Sequence, residues 1–190
     1  MSARKPHEVR LIGGLWKRSK LPVADRSGLR PTPDRVRETL FNWLGQDLNG
    51  WRCLDAFAGS GALGFEAASR GAAEVVLIER DAALARSLDA SRRRLDAAAL
   101  RVETADALSW MARCAPQRFD LVFIDPPYDA GLLGPALERA APLLVDGGFV
   151  YLEAGTVLPA PPAGFTPHRQ GHAGAVHHAL WRRGYTPADQ

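Results

Sequence analysis

The chain has 190 residues, 46% of them hydrophobic, which suits one ordinary domain with ample material for a core. No apolar run approaches the roughly 18 residues that span a bilayer, and the N-terminus lacks the apolar stretch of a secretory signal. The net charge of +3 is unevenly spread, with +7 on residues 1–37 and −4 on the rest.

A basic arm on a mildly acidic body suits a polyanion, and the interleaved Leu11, Ile12, Leu15 and Trp16 favour nucleic acid over a merely solvated tail. Cys53 and Cys114 have neither metal-ligand spacing nor a secretory context, so the compartment reads as a reducing cytoplasm and no metal is expected.

In chain order, residues 1–7 read as disordered, and 9–23 as a small β element turning at Gly13-Gly14 or Lys17-Arg18-Ser19. A loop over 25–31 carries Arg26 and Arg30. Thr32-Pro33 then supplies an N-cap and an N1 proline for a helix. Val36, Leu40, Leu44 and Leu48 give that helix one packed face, and Asn49-Gly50 ends it. The division expected is a basic arm or hairpin over 1–31, a main domain over 32–185 and a disordered tail over 186–190.

The main domain is organised around Arg52-Cys-Leu-Asp-Ala-Phe-Ala-Gly-Ser-Gly-Ala-Leu-Gly64. A short apolar strand, a glycine turn and a helix over 62–69 form the nucleotide-binding corner of an open α/β sheet. Gly59, Gly61 and Gly64 satisfy G-x-G-x-x-G, a pattern that also occurs in plain structural turns. Asp55 argues against a dinucleotide, because its carboxylate would face a pyrophosphate at the strand end. S-adenosylmethionine (SAM) has no phosphate and carries an ammonium and a sulfonium, so it suits Asp55 better than NAD.

Residues 74–79 are a second buried strand ending in Glu79, where a carboxylate can bind ribose hydroxyls of either cofactor. Asp81 caps a helix lined by Leu84, Leu88 and Leu95, with Arg92, Arg93 and Arg94 on its wet side. A third strand over 100–104 leads to Asp106-Ala107, which reads either as an adenine contact or as a helix cap.

The fourth strand, 119–124, runs into Asp125-Pro126-Pro127-Tyr128. The prolines stiffen the chain and leave the carbonyls of Asp125 and Pro126 free of local N–H partners. A carboxylate, a carbonyl and an aromatic ring make a socket for a planar group bearing an NH2. Hydrogen bonds to Asp125 and Pro126 would aim the lone pair of a base amine at the SAM methyl, with Tyr128 stacked on the ring. Such a base must be flipped or unpaired. Further on, 132–144 reads as a helix, 148–153 as a fifth strand, and 165–170 with 176–182 as a closing hairpin. His172, His177 and His178 read as surface or core residues, since adjacent strand residues face opposite ways.

The chain resembles class I SAM-dependent methyltransferases, and more closely the bacterial 16S ribosomal RNA guanine-N2 methyltransferase family. The resemblance rests on Arg10-Leu-Ile-Gly-Gly14, on Leu29-Arg-Pro-Thr-Pro-Asp-Arg-Val-Arg-Glu-Thr-Leu-Phe-Asn-Trp-Leu44, on Asp55 to Gly64 and on Asp125-Pro-Pro-Tyr128. It implies an open, doubly wound, mostly parallel seven-stranded α/β sheet (Rossmann-like) with one antiparallel strand at its edge and an N-terminal β-hairpin arm. It also implies SAM as donor and a guanine N2 of 16S rRNA in an assembling 30S particle as acceptor, with a monomer favoured. Carried onto this chain, the cofactor residues are Asp55, Phe57, Gly59, Gly61, Glu79, Arg80, Asp106 and Ala107. The catalytic clamp is Asp125, Pro126 and Tyr128, and the RNA contacts are Arg10, Lys17, Arg18, Lys20, Arg30 and Arg35. Competing readings are a DNA amino-methyltransferase, a protein-glutamine methyltransferase, a non-catalytic RNA-binding module and, least favoured, an NAD-dependent dehydrogenase.

Overall fold

The computed structural model describes residues 7–24, 32–127 and 131–184. The loop expected over 25–31, the tail over 186–190, and Arg30 and Tyr128 among the site residues lie outside the described residues.

A two-stranded antiparallel arm, β1 (His7–Arg10) and β2 (Lys20–Val23), precedes a seven-stranded sheet. The sheet strands are β3 (Arg52–Asp55), β4 (Glu74–Glu79), β5 (Leu100–Thr104), β6 (Phe119–Ile124), β7 (Leu144–Ala154), β8 (Phe165–Ala173) and β9 (Val176–Arg183). Their order is β5-β4-β3-β6-β7-β9-β8, with β3 to β7 mutually parallel. β9 runs antiparallel between β7 and β8. The reversed strand therefore lies one place in from the edge rather than at it, because the tight hairpin after β8 folds β9 back into the gap beside β7.

Helices α1 (Asp34–Trp43), α2 (Ala62–Ser69) and α3 (Ala82–Arg94) belong to one face, and α4 (Ala107–Met111) and α5 (Leu133–Ala140) to the other. Burial on both faces is why the central strands read as unbroken apolar runs. Along β6, Leu121 and Phe123 enter the first core and Val122 and Ile124 the second.

Four local expectations shift. α1 starts at Asp34 after Pro33 with no side-chain cap, because the Thr32 hydroxyl turns instead toward Asp125. It ends at Trp43, followed by Gly45 at φ +86°, so Asn49-Gly50 belongs to a separate turn. The segment expected as one helix over 132–144 becomes α5 plus a 3-10 turn at Ala141–Leu143, where Pro142 removes a helical N–H. β7 begins at Leu144, four residues before the expected strand.

The arm's apolar residues are structural. Val9, Leu11, Leu21 and Val23 are buried in the first core and Trp16 packs against it, leaving Leu15, 81% exposed, as the large apolar side chain presented to solvent. The Ile12 and Gly13 amides donate to Glu66 at 3.0 and 2.7 Å, and the Trp16 amide donates to Ser69 Oγ at 2.9 Å. A Cβ on Gly14, which has φ +71°, would lie 1.8 Å from the Ser69 carbonyl oxygen, so only glycine lets the turn sit so close.

Arg37, counted with the basic arm from sequence, is fully buried. It donates to the Thr32 carbonyl (3.2 Å), to Glu66 (3.1 Å), to the Arg10 carbonyl (2.9 Å) and to Asp34. Glu66, also fully buried, pairs with Arg70 at 2.9 Å, and the Arg70 guanidinium stands 4.6 Å over the Phe41 ring. This network joins the arm, α1 and α2 through one guanidinium.

Candidate active site

The strand order reverses between β3 and β6, since β3 leads through α2 to one side of the sheet and β6 leads through α5 to the other. Ligands of open α/β sheets bind outside the carboxyl ends of the strands at such a switch point. Asp55 ends β3, Glu79 ends β4, Asp106 follows β5 and Asp125 follows β6. The fold thus collects four of the sequence-predicted acids along one edge.

Asp55 is buried, and its Oδ2 accepts from the Gly64 amide at 3.0 Å. A Cβ on Gly64 would lie 2.1 Å from Leu77 Cδ2 and 3.2 Å from Asp55 Oδ2, so this glycine permits close packing of helix on strand. Burial pushes the Asp55 carboxyl up to about 7, and the neighbouring acids Glu79 and Glu153 push the same way against the Gly64 and Phe57 amides. Among the described residues no cationic side chain is paired with it. A buried carboxyl in that state fits the cationic end of SAM.

Gly59 at φ +52° and Gly61 at φ +78° turn the chain from β3 into α2. The Gly59 amide donates to Glu79 Oε2 at 3.0 Å, and the Asp81 amide donates to Glu79 Oε1 at 2.8 Å. Both oxygens are oriented by backbone and keep lone pairs for ribose hydroxyls. Phe57 is half-buried beside the turn, Arg80 is exposed and Ala107 is buried. Asp106 is the N-cap of α4, accepting from the Ser109 amide at 2.9 Å, and that bond, aided by the nearby Arg80 charge, holds its carboxyl below the usual range. The cap reading of Asp106 holds, and its exposure leaves room for an adenine contact as well.

At the clamp, Pro126 is buried, and Thr32 Oγ1 donates to Asp125 Oδ2 at 3.5 Å. Burial raises the Asp125 carboxyl well above the ordinary range, and the Glu153 and Asp55 charges add to it. Glu153, on the neighbouring strand β7, accepts from the Tyr151 hydroxyl at 2.8 Å, and burial raises it too.

Thr32, Tyr151, Glu153 and the Arg37–Glu66 pair escaped sequence reasoning. A signal for Glu153 was present: it closes an apolar strand as Asp55 and Glu79 do. The RNA-directed set is dispersed. Lys17 and Arg18 are exposed near the Ser69 end of α2, away from Gly61, and an eight-residue helix is about 12 Å long. Lys20 pairs with Glu8 at 2.7 Å and Arg10 with Asp34 at 3.7 Å, while Arg35 is exposed on α1.

An open sheet with this strand order and an acid-and-glycine switch point defines a class I methyltransferase fold. A family model described as conserved hypothetical protein 95 matches residues 9–182. Ribosomal RNA small subunit methyltransferase D of Escherichia coli K12 is 45% identical over 93% of this chain and 90% of its own. Its Haemophilus influenzae namesake is 39% identical over 92% and 94%. The solved structure of the Escherichia coli protein yhhF superposes with a TM-score of 0.85 at 41% identity, covering 94% of this chain and 99% of that one. The chain belongs to the family of ribosomal RNA small subunit methyltransferase D.

Proposed function

We propose that this protein transfers a methyl group from SAM to the exocyclic N2 of a guanine in 16S ribosomal RNA, within an assembling 30S particle in the cytoplasm. The observation that carries the reading is the pair of carboxyls at the switch point: Asp55, buried and with no cationic side chain paired to it among the described residues, and Asp125, half-buried and followed by a buried proline. The names borne by the relatives support RNA as the substrate.

Asp55, Gly59, Gly61, Glu79, Asp106 and their neighbours Phe57, Arg80 and Ala107 would hold SAM, which when bound supplies an electrophilic methyl on a sulfonium. The guanine amine donates one N–H to the Asp125 carboxylate and the other to the Pro126 carbonyl, turning the nitrogen lone pair toward that methyl. Tyr128 stacks on the base. The gain comes from positioning and preorganised electrostatics. The surroundings that raise Asp125 also fit it to take the proton that the methylated nitrogen loses. Arg10, Lys17, Arg18, Lys20, Arg30 and Arg35 meet the phosphate backbone.

The test is transfer of labelled methyl from SAM to 30S particles from a strain lacking the activity, with Asp125→Ala beside the wild type and the RNA digested to nucleosides. Label as N2-methylguanosine with the wild type alone is the expected result. Label in DNA or protein, or SAM binding without transfer to any acceptor, overturns it.

A further inference from the structure

A cavity of about 370 Å³ opens between α1 and the β8–β9 hairpin, lined by Arg35, Thr39 and Trp43 from the helix and by Gly171, Ala173 and His178 from the strands. Its volume lies in the range of small-ligand sites. His178 is 4% exposed, and among the described residues neither of its ring nitrogens has a hydrogen-bond partner within normal geometry. Buried polar groups left so are rare.

The surroundings hold the ring without satisfying it. Trp43 stacks on the imidazole with centroids 5.2 Å apart and planes 27° from parallel. Gly171 is its direct cross-strand neighbour, and a Cβ there would lie 3.0 Å from His178 Nε2 and 3.6 Å from Trp43 Cη2. With no side chain on Gly171 the strand lies close against that nitrogen edge, which sits shielded from water in the cavity wall with no polar group from Gly171 to meet it.

Burial, with the nearby His172 and His177, holds the His178 ring below its ordinary range, against the pull of the Val176 backbone. A neutral imidazole offers one donor and one acceptor, the pairing that a nucleobase edge presents, whereas a phosphate calls for a cation. Arg35 at the mouth supplies such a cation for the backbone of the same strand.

The site's place is also informative. Glu153 pairs with His178 across β7 and β9, and Asp125 follows the Ile124–Leu152 pair, which puts it level with Glu153. At about 4.8 Å per strand, His178 stands roughly 10 Å from the clamp along the same sheet edge. An unstacked single strand covers that distance in about one or two nucleotides.

We propose that this cavity is a second base subsite: it takes an unpaired nucleobase beside the target guanine, stacked near Trp43 with its edge hydrogen-bonded to His178. The proposal rests on the RNA-methyltransferase reading above. It makes the enzyme read the target's neighbour as well as the target, since sequence-specific RNA recognition works on splayed-out bases.

Full-length wild type, His178→Phe, which keeps the stacked ring without its nitrogens, and Ala173→Leu, which fills the cavity, would be compared. kcat and KM are measured on unmodified 30S particles, alongside SAM affinity and Tm. A short single-stranded RNA of the target loop, carrying each of the four bases next to the guanine, is titrated by fluorescence anisotropy. The expected result is kcat/KM for the particle down about tenfold in both variants, with SAM affinity and Tm preserved. Wild-type binding should also depend on the neighbouring base, and the variants should lose that dependence. If one variant unfolds, the other decides. Equal kcat/KM in the folded variants, or wild-type binding indifferent to the neighbouring base, overturns the subsite alone. A wild type that methylates no RNA overturns the substrate reading instead, and the anisotropy titration still judges the subsite.

Discussion

On the proposed reading, in which Asp55 holds the cation of SAM, binding of SAM depends on pH in a calculable way. In the unliganded protein burial raises it to about 7, so near neutrality it is half protonated. The cation of SAM needs it ionised. Below pH 7 binding must expel a proton, and affinity falls toward tenfold per pH unit. Between pH 7.5 and 5.5 the Kd should therefore weaken on the order of twenty-fold, or about 1.8 kcal/mol. The ligand's own ammonium stays largely protonated throughout that window. Isothermal titration at several pH values reads the effect directly, and buffers of different ionisation enthalpy count the proton released. Asp55→Asn should bind weakly with a much flatter profile. The same shift acts on folding with a definite sign. A carboxyl raised from 3.8 to about 7 lends stability that is fully present below 3.8 and is lost as pH rises through about 7. SAM should then raise Tm more at pH 7.5 than at pH 5.5. An affinity that is flat, or that strengthens as pH falls, would refute the assignment of Asp55 to the cation.

Arg37→Met strips partners from two backbone carbonyls and from Glu66, which keeps Arg70 and two amides. A loss of about 3–5 kcal/mol is expected, read as a Tm lower by roughly 10 °C, and a loss under about 1 kcal/mol would dismiss the network as incidental. Gly64→Ala should destabilise by about 1–3 kcal/mol in urea unfolding and weaken SAM binding, because the new Cβ meets Leu77 and crowds Asp55. Replacing Lys17 and Arg18 together by Ala should raise KM for the particle and reduce the slope of log affinity against log salt by about 1.5–2. An unchanged slope would place these cations off the RNA.

The elements of the main domain were legible where local rules decide them. α2, β4, β5 and β6 have the bounds read from apolar runs closed by glycines and acids, because parallel strands buried on both faces carry that pattern undiluted. The acids at the strand ends were legible for the same reason. What failed to show was long-range. Glu66 meets Ile12 and Gly13 more than fifty residues away, and no periodicity names such a partner. Arg37 sits in a basic stretch and reads as a surface cation until α2 supplies the carboxylate that buries it. Inserting β9 inside the sheet satisfies the same alternation as an edge position, so pattern alone does not separate the two. The capping residue Thr32 was misassigned because its hydroxyl serves Asp125, a contact ninety-three residues distant.

The row of acids at the sheet's carboxyl edge sorts whatever approaches it by charge. Asp55, Glu79, Asp106, Asp125 and Glu153 line that edge, and those of them that are ionised set a negative field at the cleft in a protein whose net charge is positive. A nucleotide is charged at one end and neutral at the other. On the proposed reading its phosphate would be turned away from that edge and held by outlying cations such as Arg35, Lys17 and Arg18, while the neutral ring passes. The field that would gather the donor would thereby orient the acceptor, admitting RNA base-first and refusing it backbone-first.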